Sequence, residues 1–146
     1  MKTSFSRLRT SVFVLLLTSL VGCKAQRPEK HGQEEIPVTE TLNANDHEKI
    51  RAAVGRIVAV RGKVHRVGGT SAGGVYFIIF QGNQRGQFVG IVKDENLAAV
   101  TTTLGAELKV ALTSKAIELR GKMELYKDNT PQIVVEGANQ IQLMKE

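Results

Sequence analysis

Two short stretches constrain this chain more than any other feature: VRGKV at Val60–Val64 and LRGKM at Leu119–Met123. Each places a glycine between two cations inside a run whose apolar residues recur at every second position. Val58, Val60, Gly62 and Val64 fall on one face of the first run, with Ile57, Ala59, Arg61, Lys63 and His65 on the other. In the second, Ile117, Leu119, Gly121, Met123 and Leu125 alternate with Glu118, Arg120, Lys122, Glu124 and Tyr126. A period of two belongs to a strand with one buried face. A glycine on the apolar side of a long strand marks a bend or a close approach by another part of the chain. Both runs are therefore expected to be long, bent strands, with Gly62 and Gly121 inward as paired bend points and the Arg and Lys flanks outward.

The remaining elements fall around these two. A short helical piece over Glu48–Val54 leads into the first strand, and GGTSAGG at 68–74 turns out of it. VYFIIF, Val75–Phe80, is apolar throughout, as in a strand covered on both faces. QFVGIV, Gln87–Val92, is a third strand. Leu97, Val100, Leu104, Leu108 and Ala111 recur at three and four, so a helix is expected from about Glu95 to Ala111, weakened at Gly105 and at Thr101–Thr103. DNTP is a turn, and QIVVEGANQIQLM is a last strand interrupted near Gly137. Five short strands with a helix between the third and fourth is the plan of the OB-fold. The expected fold class is thus mainly β: a five-stranded OB-fold Greek-key barrel with one helix between strands 3 and 4.

From about Gly55 to Met144 the chain resembles the OB-fold nucleic-acid-binding domains of bacteria. The residues that carry the resemblance are the first strand around Val58, Val60, Gly62 and Val64, the pair FIIF and FVGIV, and the closing LRGKMELYKDNTPQIVVEGANQI, Leu119–Ile141. The resemblance implies binding of single strands across strands two and three, bordered by the loops joining strands one to two and four to five. Such a site needs aromatic faces for bases and cations for phosphates. Phe77 is the stacking candidate, because Gln81 on its face points to partial exposure; Phe80 and Phe88 are then core. Tyr126, beside the KDNTP loop, is the second exposed aromatic. The cations near this surface are Arg61, Lys63, Arg66, Arg85, Lys93, Arg120, Lys122 and Lys127. Glu118 and Glu124 interleave with two of them, the pattern of ordinary cross-strand pairing.

Met1, Lys2, Arg7 and Arg9 precede an apolar run, Val12–Val21, broken only by Thr18 and Ser19. A basic start followed by a short apolar core reads as a secretory signal, too short to span a bilayer comfortably. It ends LVGC, Leu20–Cys23, which resembles the lipobox of bacterial lipoproteins. That resemblance implies lipidation of Cys23, the single cysteine of the chain, and an anchor in the cell envelope. Lys24 in place of Asp favours the outer membrane where one exists. The expected organisation is a signal peptide over 1–22, a flexible tether over 23–47, rich in polar residues and proline, and a domain over 48–146. Without residues 1–22, 17 Lys and Arg face 14 Asp and Glu, a net of about +3; residues 48–146 alone carry 14 against 9.

No nucleophile or phosphate-loop motif is present. Gly68–Gly74 joins two strands instead of opening a helix, so the phosphate-loop mechanism does not apply. His65, the only histidine of 48–146, has no second metal ligand at useful spacing. No enzyme activity, metal or cofactor is expected. The expected partners are single-stranded nucleic acid or another polyanion, and the membrane through the lipid. The alternative is an envelope module that binds a protein partner or small ligand, its cations serving solubility.

Overall fold

The computed structural model describes residues 35–70, 72–127 and 129–145. The expected signal peptide, Cys23 and the tether through residue 34 lie outside the described residues. The described chain is mainly β. In order it forms β1 (Thr41–Asn43), α1 (His47–Ala52), β2 (Ile57–Gly69), β3 (Val75–Phe80), β4 (Val89–Lys93), α2 (Asp94–Leu104), α3 (Leu108–Leu112), β5 (Ala116–Leu125), β6 (Pro131–Val135) and β7 (Ile141–Leu143). A 3-10 turn at Ala138–Gln140 precedes β7. All seven strands belong to one sheet.

The two RGK runs are the long strands, and each is long because it serves two sets of partners. Residues 57–63 of β2 pair antiparallel with β5, and its second half pairs with β3. The start of β5 pairs with β2 and its end, Met123–Leu125, with β6. β3 pairs with β4, and β4 runs parallel to β6. Followed from β2, the pairings pass through β3, β4, β6 and β5 and return to β2, a ring-like arrangement. The short strands β1 and β7 add to β2 and β5 from outside this ring. Inside lie Val58, Val60, Val64, Ile78, Phe80, Phe88, Ile117, Leu119, Met123 and Ile133, all buried. Phe80 and Phe88 pack with ring centroids 5.5 Å apart and planes tilted by 32°.

The two glycines face inward as expected, but they are not a pair. Gly62 lies opposite Ile117 and Gly121 opposite Val58. Each makes room for a different neighbour. A Cβ at Gly62 would stand 2.6 Å from Phe80 Cδ1 and 2.8 Å from Ala44 Cβ; one at Gly121 would stand 2.7 Å from Ile133 Cγ2. Gly90 of β4 does the same for Leu119, whose Cδ1 would lie 2.6 Å away.

Three further expectations change. Among the described residues the strands number seven, not five. The last expected strand is two, β6 and β7, because Gln140 folds the chain between them: its Nε2 donates to Arg120 O and Val134 O, both at 3.0 Å, and its Oε1 accepts from Glu136 N at 2.6 Å and Gly137 N at 3.1 Å. The single helix is also two. It stops at Gly105, left-handed at φ 71°, after a run in which the hydroxyls of Thr101, Thr102 and Thr103 bond back to carbonyls four residues earlier. Such back-bonding competes with the backbone ladder.

Residues before 48 also belong to the folded domain. β1 lies inside the segment expected to be a tether, with Leu42 and Ala44 in the core and Asp46 capping α1 through Lys49 N at 3.3 Å. The preceding residues are tied down too: Thr39 N donates to Ile57 O, and Ala59 N to Glu40 O, both at 2.9 Å. The outward side of β2 and β5 is therefore no plain solvent face. Ala59 and Glu118, both expected outward, are buried. Leu125, expected inward, runs past the end of the core and is exposed.

Candidate functional site

The alternation of β2 breaks once. Val64 lies opposite Phe80 and Arg66 opposite Ile79, so His65 is an extra residue, a β-bulge. Before it, even-numbered residues face the core; after it, Val67 does. The bulge turns Arg66 outward, onto the face formed by β3, β4 and β6. Register lays that face out in cross-strand rows. Arg66, Ile79, Val89 and Gln132 form one row, and Gly68, Phe77, Ile91 and Val134 the next. Val75 and Lys93 form a third.

These rows floor a groove of about 690 Å³. Its apolar base is Val75, Phe77, Ile79, Val89, Ile91 and Val134; Arg66, Arg85, Lys93 and Tyr126 stand among its rim. Two turns border the end nearest Arg66 and Gln132. The β3–β4 turn, which carries Arg85, is shaped by Gly82 and Gly86 at φ 82° and 81° and held by Asn83 Nδ2 donating to Phe88 O at 2.5 Å. The β5–β6 turn presents Tyr126, whose N–H donates to Thr130 O at 2.9 Å and whose ring is 55% exposed. The lining holds three cations and no carboxylate. Arg66 and Arg85 have no ion pair among the described residues, and Lys93 has only a loose, exposed one to Glu95 at 3.8 Å.

The outward RGK cations are arranged differently. Glu118, its side chain 3% exposed, takes Arg61 Nε on Oε2 at 2.5 Å and Arg120 Nε on Oε1 at 2.6 Å. Arg120 reaches on to Glu35 Oε2 and Gln142 Oε1, at 3.2 and 3.3 Å. Burial pushes the Glu118 carboxyl up, but the hydrogen bonds and charges of Arg120 and Arg61 outweigh it and hold the group below the usual carboxylate range. The bond to Glu118 likewise raises the Arg120 pKa against the effect of burial. Lys122 stands 3.9 Å from Glu124, both exposed. Lys63 has no ion pair among the described residues.

Of the residues singled out from sequence, the groove brings together Arg66, Phe77, Arg85, Lys93 and Tyr126. Arg61, Lys63, Arg120 and Lys122 lie elsewhere, on the outer side of β2 and β5. Lys127 follows Tyr126 in the turn without lining the groove, and Cys23 lies outside the described residues. The aliphatic floor and Gln132 carried no sequence signal of their own, since a two-sided strand and a core strand read alike. Among the described residues no group of three or more His, Cys, Asp and Glu could hold a metal ion, and no helix is long and apolar enough to cross a membrane.

No protein-family model matches the chain, and no curated protein matches it. Among solved structures it is similar to the crystal structure of a protein assigned as an aspartyl-tRNA synthetase, from Leishmania major Friedlin, with a TM-score of 0.46 and 8% identity. The match covers 77% of this chain and 22% of that protein.

Proposed function

We propose that this chain is a lipid-anchored module of the cell envelope, of the OB-fold type, whose groove binds single-stranded nucleic acid. The barrel reading is supported by the ring of pairings β2–β3–β4–β6–β5–β2. The observation that carries the binding reading is the groove itself: a floor with one aromatic ring, a second ring on its rim, three cations and no acid. Bases stack on aromatic faces, and cations track the phosphates. The module performs no chemistry of its own and takes no cofactor.

Binding to a short single strand should weaken with salt, by a slope near −0.7 per phosphate neutralised. Replacing Arg66 and Arg85 by Gln should flatten that slope by about one to two units. The same replacement at Lys63 and Lys122 should leave it unchanged, because those residues lie off the groove. Phe77→Ala or Tyr126→Ala should cost roughly 1–3 kcal/mol with the slope intact, since stacking exchanges no ions. Flattening by the Lys63 and Lys122 variant alone would move the site to the β2–β5 face. No binding at low salt, where the polyanion contribution is strongest, would leave the aliphatic floor to a protein partner or small ligand.

The anchor is tested separately. Labelled fatty acid should enter the wild-type chain and not Cys23→Ser, which should appear unlipidated. Label in the variant, or none in the wild type, would overturn the anchor without touching the groove.

A further inference from the structure

We infer that one end of the groove reads the identity of a single base and that Gln132 reads it, an inference that rests on the nucleic-acid reading above. The three cross-strand rows differ in chemistry. The middle row, Gly68, Phe77, Ile91 and Val134, has no hydrogen-bonding side chain. Gly68 leaves the flank of Phe77 open, since no heavy atom lies within 4 Å of a Cβ built there. A base can lie on that row, but only by stacking, which every base does. The third row offers Val75 and the Lys93 ammonium, which meets a phosphate as readily as a base.

The first row is different. Gln132 sits half-buried between Val89 and Glu124 in its row, and its amide makes no hydrogen bond to the described residues. Glu124, its cross-strand neighbour on β5, is outside the groove lining and stands by Lys122. An amide carries two donors and an acceptor. Covering it without a partner leaves a desolvated polar group unpaired, which is costly. A ligand lying over this row must therefore return both a donor and an acceptor. A phosphate only accepts and an aliphatic surface does neither, whereas a base edge presents the two side by side. The same end holds what a nucleotide needs besides its edge: the Tyr126 ring one turn from Pro131, and the guanidinium groups of Arg66 and Arg85. Sequence preference is thus confined to one nucleotide position, with its neighbours bound by stacking and charge.

The test uses the full chain in detergent and labelled hexanucleotides of dA, dC and dT. The wild type should bind one of them about tenfold more tightly than the weakest, within the range a good bidentate amide–base contact provides. Gln132→Leu should compress that spread to about twofold while keeping the salt slope. Gln132→Glu, which when ionised only accepts, should change the order of preference among the three hexamers, because the base that matched the amide's donors loses them; an unchanged order would overturn the inference should the Leu variant fail to fold. Hexamers bound equally by the wild type, or a spread that survives Gln132→Leu, would overturn the inference while leaving the groove a nucleic-acid site. No binding by any hexamer would overturn both.

Discussion

Gly121→Val should lower stability by about 3 kcal/mol or more, the sum of overpacking and lost hydrogen bonds. The backbone at Gly121 is not left-handed, so the loss comes from space alone. A Cβ there would lie 2.7 Å from Ile133 Cγ2 and 2.9 Å from Gln140 Nε2. Ile133 is fully buried and has nowhere to go. Gln140 is worse placed still, because displacing its amide breaks the four hydrogen bonds that fold β6 into β7. For a domain of this size the change corresponds to a fall of roughly 12–24 °C in Tm, measurable by calorimetry. Gly68→Val is the control: its Cβ meets nothing within 4 Å, and the midpoint should hardly move. A Gly121→Val midpoint within about 2 °C of wild type would refute the steric role.

Glu118→Gln should cost about 2–3 kcal/mol at neutral pH, somewhat less than the 3–5 expected for breaking a deeply buried pair. The discount follows from Arg61, half-exposed at 53%, which water can re-solvate once its partner is gone; Arg120, at 17%, cannot turn to water so easily. The pH dependence has a definite sign. The native carboxyl titrates below its unfolded value, ordinarily about 4.3, so its contribution is present in full above that value. As pH falls further, the unfolded chain takes up the proton first and the contribution is lost. Denaturation midpoints of wild type and Glu118→Gln should therefore differ most at pH 6–7 and converge below about pH 4. Parallel curves across the whole range would show that Glu118 does not stabilise the fold through its charge.

The inward faces of both long strands up to Val64 and through Met123 were legible in the sequence, because a period of two needs nothing but the local pattern. The inward Phe80 and outward Phe77 were legible too, although Gln81, the residue that pointed to them, leaves the strand for the turn. What lay beyond local pattern was not. Burial of Ala59 and Glu118 depends on residues 35–40 bonding back to β2 and β5, which no periodicity announces. The prominence of the RGK cations misdirects for a related reason. Glu118 and Arg120 share a face two residues apart, and that spacing was visible, but Arg61 joins them only through the β2–β5 register. The groove lay hidden because VYFIIF is apolar on both sides, and a strand that floors a binding surface has the same composition as one that is fully packed.

The bulge at His65 gives β2 a property that substitution studies would miss. His65 is exposed, and no ion pair holds its side chain among the described residues, so most replacements there should be tolerated. Its presence is dispensable for a related reason: His65 and Arg66 together oppose Ile79, so deletion of this one codon leaves Val64 inward, Arg66 outward and Val67 inward, as in a regular strand. A deletion at Val67 or Gly68 has no such spare residue to absorb it and would turn the residues after it to the opposite face. The strand thus carries one residue that its register can spare, and lineages of this domain should lose position 65 more readily than Val64 or Val67.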